Sequence, residues 1–188
     1  MLLPKVLLLS LAVLLPLQTA TNPKQELNDQ FFEAVRKGDV AAVTAALDHG
    51  ADVNAKFRYG TTALFKAAER GYTEVTKLLL DRGADVKVKD TFYGATAMSW
   101  ALSGKHIEVV KLLLQKDSSE VDDVLTTGVR ESNPDLVKAA LENGHVTAPT
   151  LTAALALSAG DEKSAAITDM LKKAGAQPPM EIDVATLQ

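Results

Sequence analysis

Apolar residues along this chain come in short helical stripes cut off by glycines. In TTALFKAAER (61–70), Leu64, Ala67 and Ala68 fall at helical spacing behind a threonine able to cap the first turn. Gly71 closes that helix, because glycine tolerates the left-handed conformation common just past a helix end. TEVTKLLLDR (73–82) predicts a second helix with Val75, Leu78 and Leu79 on one side, stopped by Gly83. ADVKVKDTFYG then reads as an extended, polar, hairpin-like loop ending in a glycine turn.

The whole pattern recurs. Gly38 returns as Gly71 and Gly50 as Gly83 at one constant spacing. Gly60 returns as Gly94, Ala67 as Ala101 and Glu74 as Glu108 at a spacing one position longer, the insertion falling between Gly83 and Gly94. A fixed period in this range means a stack of small units, none able to bury its apolar face alone.

The unit resembles the ankyrin repeat. The residues that carry the likeness are Gly60, Thr62, Ala63, Leu64, Phe65, Ala67, Ala68, Gly71, Glu74, Val75, Leu78, Leu79, Leu80, Gly83, Ala84, Asp85 and Val86. The next unit keeps Gly94, Thr96, Ala97, Met98, Ala101, His106, Glu108, Val109, Val110 and Leu112, Leu113 and Leu114; the preceding one keeps Gly50, Ala51, Asp52, Val53 and Asn54. The resemblance implies an all-α, ankyrin-type helical repeat solenoid over residues 25–177. We count five helix-turn-helix units with hairpin-like loops, at about 25–57, 58–91, 92–119, 120–146 and 147–177, with diverged terminal units. Ala63 and Ala97 stand where the family has proline, Lys105 where it has the turn glycine, and Asp117 where it has the exit glycine. Glu108 recurs as Asp135, well short of a full period, so the fourth unit is shortened and is expected to be the weak point of the stack. In it Leu125 takes the place of Leu64, and Leu136, Ala139, Ala140 and Gly144 mark its second helix. The fifth unit reads TLTAALALSAG and then AAITDMLKKAGA, with Asp161–Ser164 near its turn.

The two ends differ from the stack. Residues 1–20 place one charge, Lys5, before an apolar run from Val6 to Leu15, then Pro16 and a small-residue end at Ala20. This is the layout of a secretory signal peptide, and the run is too short to span a membrane. A buried N-terminal helix or an uncleaved anchor is the competing reading. The tail PPMEIDVATLQ opens with helix-stopping prolines, and its alternating Met180, Ile182 and Val184 suit either a frayed terminus or a linker into a further domain.

Composition narrows the function. The 188 residues hold 20 Lys+Arg, 24 Asp+Glu, three His and no Cys. Without cysteine there are no disulfides, thiolate metal sites, lipidated thiols or cysteine nucleophiles. The net charge of -4 lacks the basic clustering of a nucleic-acid binder. His49, His106 and His145 form no metal-ligand spacing: His49 suits a helix C-terminus, His106 takes the structural turn position of the family, and His145 follows Gly144. No serine has a nucleophile-elbow setting, there is no phosphate loop, and Glu120, Asp122 and Asp123 read as a solvated acidic helix start. The chain is expected to be no enzyme, to need no cofactor or metal, and to act as a monomer on another protein. Export, most simply to a bacterial periplasm or outside the cell, goes with the signal-like start. The alternative is an N-terminal adaptor or targeting domain of a longer exported enzyme or β-domain protein.

Aromatics point to where a partner docks. Phe31, Phe32, Phe65 and Tyr72 sit at core or packing positions of the repeat, whereas Phe57, Tyr59, Phe92 and Tyr93 sit on loop tips before Gly60 and Gly94. Trp100 replaces Lys66 on the first helix of the next unit. By the resemblance, the groove formed by loop tips and first helices receives partners, and rigid rings there suit interface anchors. Arg58, Lys66, Glu69 and Arg70 supply a polar rim. The competing reading is that the rings stiffen the stack, with Phe57 or Phe92 turned inward.

Overall fold

The computed structural model describes residues 22–158 and 164–178, and within them the chain forms ten α-helices, one short 3-10 turn at Arg58–Gly60 and no strand. The signal-like segment, most of the tail and most of the Asp161–Ser164 turn lie outside the described residues. The helices pair in order: α1 (Pro23–Lys37) with α2 (Val40–Asp48), α3 (Ala63–Arg70) with α4 (Thr73–Asp81), and α5 (Ala97–Ser103) with α6 (Ile107–Lys116). Then come α7 (Val121–Arg130) with α8 (Pro134–Asn143) and α9 (Ala148–Ser158) with α10 (Ala165–Lys173). First helices stack as α1 on α3 on α5 and as α7 on α9, while second helices form a row from α2 through α4, α6 and α8 to α10. Their apolar faces merge into one continuous core running from Phe31 to Ala176. This is the all-α helical solenoid that the repeat predicts.

One backbone feature sets each pair. The residue between paired helices is left-handed in the first four: Gly38 at φ 73°, Gly71 at 69°, Lys105 at 58° and Ser132 at 49°. Only glycine adopts this conformation without a steric penalty, so Lys105 and Ser132 carry strain. The spacing of the four positions also locates the shortening. Lys105 and Ser132 are separated by the same shortened interval as Glu108 and Asp135, so the helix-turn-helix is intact and the missing residues belong to the loop.

The residue after this turn caps the second helix in two of the units. Asp39 accepts from Ala42 N–H at 3.0 Å, and Asn133 accepts from Asp135 and Leu136 N–H at 3.1 and 3.2 Å. Tyr72 and His106, at the equivalent positions, make no such bond and instead send their rings back to the preceding unit. Tyr72 OH donates to Arg36 O at 3.5 Å, and His106 Nε2 lies 3.1 Å from Glu69 O. The His106 ring fills space that a Cβ at Gly71 or Gly104 would occupy, each within 2.4 Å. Two interior units thus exchange a helix cap for a bond between layers.

Three sequence expectations are corrected here. Thr62 stands at the N-cap of α3 but makes no capping bond, and its buried hydroxyl has no partner. The equivalent Thr96 does cap α5, because Ser99 returns a bond to it, whereas α3 has Phe65 there and nothing to return. On α4 the buried face is Val75, Thr76, Leu79 and Leu80, while Leu78 is half-buried, since two layers flank that helix. The acidic start of α7 is more than a solvated face. With the loop gone, α7 follows closely on the end of α6, and its acids cross to neighbouring layers. Glu120 Oε2 accepts from Thr96 Oγ1 at 3.0 Å, and Asp122 accepts from Thr147 N–H at 3.1 Å. Lys87 pairs with Asp117 at 3.0 Å across the same junction. Gly128 lets α8 approach closely, for a Cβ there would lie 2.9 Å from Val137 N.

Burial pushes the Glu120 carboxyl above its ordinary value, with Asp123 and Asp117 adding repulsion against the Thr96 bond and Lys89. A raised folded-state pKa means that Glu120 favours the fold below its unfolded value, 4.5, and that this is lost as pH rises through the higher folded value. Glu120→Gln, which keeps the acceptor for Thr96, is expected to match or exceed the wild type in stability at pH 7, the gap closing towards pH 4.5; urea titrations at the two pH values check this. Lys105→Gly is expected to gain about 0.5 kcal/mol, because relief of a left-handed penalty of ~1–2 kcal/mol outweighs the added backbone entropy of glycine. Gly71→Ala is expected to lose at least ~2 kcal/mol, from the same penalty and displacement of the His106 ring. Denaturation midpoints that move together in these two variants would contradict the turn assignment.

Candidate partner-binding groove

The two long loops that join the first three units turn back on themselves beside the first helices. In the first, Phe57 N–H donates to Thr61 O at 2.8 Å, and Tyr59 and Gly60 both sit at positive φ. In the second, Asp90 N–H donates to Ala95 O at 2.9 Å. Thr91 N–H donates to Tyr59 O at 2.8 Å and ties one tip to the next.

The ties bring four rings together. Tyr59 meets Phe92 at 5.6 Å between centroids, Phe92 meets Tyr93 edge-on at 4.6 Å, and Tyr93 meets Trp100 at 6.3 Å. Tyr59, Phe92 and Tyr93 are 49%, 66% and 73% exposed, so this is an open apolar surface and no core extension. With Thr61, Asp90 and Trp100 they line a depression of about 270 Å³. A smaller neighbour of about 120 Å³ is lined by Phe32, Phe65, Lys66, Glu69 and again Thr61 and Trp100. Trp100 stands between the two.

The residues read from the sequence separate into groups. Phe57 is half-buried and stacks on Phe32 of α1 at 4.0 Å, so it stiffens the first tip; Phe92 turns outward. Arg58 lays its guanidinium over the Tyr59 ring at 4.7 Å. Lys66 and Glu69 pair with each other one helical turn apart and edge the smaller depression. Arg70, exposed on the last residue of α3, lines neither depression.

Asp90 is the residue of the candidate site that the sequence reading passed over. It looked like one more polar loop position, yet it is 5% exposed. Its Oδ1 accepts from Phe92 and Tyr93 N–H at 2.8 and 2.6 Å and so aims both rings. Those amides, Tyr93 first, hold its carboxyl below the usual value of 3.8 against the opposing effect of burial; the Ala95 amide and the Trp100 indole add to them. The group stays charged, and its support for the tip is lost only as pH falls through that lowered value. An Asp shortly before an aromatic and a glycine is the signal of a side chain that closes such a turn.

Among the described residues no group of three His, Asp or Glu is placed to hold a metal ion, and no helix is long and apolar enough to cross a membrane. The arrangement can bind by shape, rings and one buried charge.

Comparison with known proteins agrees with the fold. A family model for ankyrin repeats, in three copies, matches residues 31–124, half of the chain. The chain belongs to the ankyrin repeat family. It is 38% identical over 88 residues to a probable E3 ubiquitin-protein ligase of Oryza sativa subsp. japonica, covering 47% of this chain and 17% of that protein. It is 32% identical over 105 residues to an E3 ubiquitin-protein ligase of Arabidopsis thaliana, covering 55% of this chain and 20% of the relative. Over 99 residues it is 30% identical to the ankyrin repeat, SAM and basic leucine zipper domain-containing protein 1 of Carollia perspicillata, 51% of this chain and 21% of the other. The match spans about a fifth of each relative's length. Ankyrin repeats are protein-interaction modules and are in general non-catalytic.

Tyr59 is an aromatic residue held at φ 60° and ψ 25°, where asparagine is tolerated and bulky residues are not. Tyr59→Asn is therefore expected to be more stable than Tyr59→Ala by about 0.5–1 kcal/mol, both variants having lost the ring. Equal melting curves would show that the tip carries no backbone strain.

Proposed function

We propose that this chain is a non-catalytic binding protein that takes another protein into the groove of loop tips and first helices. The observation that carries the reading is the run of three outward rings on two hydrogen-bonded tips, with Trp100 beside them. Exposed apolar patches are costly on a soluble chain unless covered in use, and the left-handed Tyr59 adds backbone strain to that cost. Such strain at an exposed aromatic fits selection for contact. Arg58 over Tyr59 and the Lys66–Glu69 pair at the smaller depression frame the rings, Phe57 stiffens the first tip from inside, and Arg70 stands at the end of α3 outside both depressions. Action as a monomer without nucleic acid, cofactor or membrane insertion fits the acidic, cysteine-free composition.

The charged and apolar layout of residues 1–20 supports export, to a bacterial periplasm or the medium. A second reading is favoured by one comparison: in its relatives the matching segment is about a fifth of a longer protein. On that reading these repeats are the adaptor part of a larger exported protein.

A photo-crosslinking residue in place of Tyr93, in cells making the whole chain, is expected to capture a polypeptide. The same residue in place of Lys77, exposed on the outer helix α4, is expected to capture none. Mass spectrometry of the adduct checks both the partner and the loss of residues 1–20. Capture from Lys77 alone would overturn the groove, and a retained N-terminal segment would overturn cleavage.

A further inference from the structure

We infer that the larger depression is an aromatic cage for a positively charged side chain of the protein partner, an ammonium or a guanidinium. The inference rests on the reading of this groove as a protein-binding surface and adds the chemistry that it selects. Tyr59, Phe92, Tyr93 and Trp100 supply rings on several sides of one open space of about 270 Å³. The face of an aromatic ring is the negative end of its quadrupole, and a cation within about 6 Å of it is attracted. The chain already exploits this once, where Arg58 lies 4.7 Å above Tyr59.

The second observation is Asp90, which lines the same space. It is almost fully buried, and the amides that bond its Oδ1 keep it ionised. Its Oδ2 and the Trp100 Nε1 are both buried and neither meets the geometry of a full hydrogen bond, although the indole adds to the groups that favour the charged carboxyl. A carboxylate whose second oxygen has no full hydrogen bond leaves negative potential in an apolar setting.

The two features together decide between occupants. An aliphatic or proline-rich segment would cover the rings well enough, but it would also withdraw an ionised carboxylate further from water and offer nothing in return. An acidic segment would add repulsion. A cationic head with a methylene or methyl surround satisfies both the rings and the charge. Of the neighbouring cations, Lys66 is paired with Glu69, and Arg58 takes one face of Tyr59 from the exposed tip, where it competes with an incoming cation.

Trp100 is the single tryptophan of the chain, so its fluorescence reports the site directly. The probes are choline and its neutral tert-butyl analogue, in which carbon replaces the ammonium nitrogen. Choline is expected to change the emission saturably and to bind about tenfold more tightly than the analogue. Tyr93→Ala is expected to abolish the response. Asp90→Asn keeps an acceptor for the two amides and is expected to remove most of the preference. Arg58→Ala, at an exposed residue that the fold does not need, is expected to tighten choline binding by removing a like charge. Equal binding of the two probes, no saturable change with either, or weaker choline binding in Arg58→Ala would each overturn the cage. A choline response with no polypeptide crosslinked from Tyr93 would retain the cage and remove the protein-binding reading; a crosslink without a choline preference would do the reverse.

Discussion

Each helix pair in the first four units turns on a single residue held in the left-handed conformation, and the stacking of the solenoid depends on that turn. It folds the second helix back at an angle that leaves one apolar side of the pair open, and only the next pair can cover it. The geometry is demanding enough to be kept where the favoured glycine is lost, at Lys105 and Ser132. The backbone penalty there is small beside the burial of residues such as Leu113, Leu114, Leu125 and Leu136, which the turn makes possible.

Just past that turn, the same chain position does different work by place in the stack. Asp39 and Asn133 cap their own helices. Tyr72 and His106 bind the layer before them. A short polar side chain reaches only its own backbone; a ring crosses to the neighbouring unit and fills the gap beside a glycine. The interior layers are thus bound to each other at the turns as well as through the core. The loop tips repeat the device on the other side, through Thr91 and Tyr59.

Two carboxylates, Asp90 buried and Glu120 half-buried, mark the places where the repeat departs from uniformity. Asp90 organises the second tip by accepting its amides, and its charge is stabilised by them. Glu120 replaces a missing loop, reaching Thr96 from the start of α7, and its charge is disfavoured by burial. The two shifts have opposite signs because one group is surrounded by donors and the other by apolar atoms and further acids. The groove accordingly ends at the third unit: the described residues form no third tip, and the junction is given over to bonds between layers.

Much of this was legible in the chain. Helices of the right kind, the turn glycines, the repeat period and the ring-bearing tips are local or periodic features, carried by neighbours along the sequence. The shortened interval from Glu108 to Asp135 even located the lost loop once the turn residues were aligned. What local pattern could not carry is which face or partner a side chain takes when two layers compete for it. Thr62 and Thr96 occupy the same position with the same chemistry, yet one is orphaned and one caps, since the difference lies at Phe65 and Ser99. Phe57 and Phe92 are both aromatic residues on loop tips, yet one stacks inward on Phe32 and one points to water. Glu120 looks like a solvated acid until Thr96 of the preceding unit meets it, and Asp90 until its own loop folds the Phe92 and Tyr93 amides onto it. The sequence by itself determined the repeat and its helices, because those follow from spacing and backbone preference. Only the tertiary structure decided the aromatic cluster and its buried charge, because they depend on through-space contacts between segments that no linear period records.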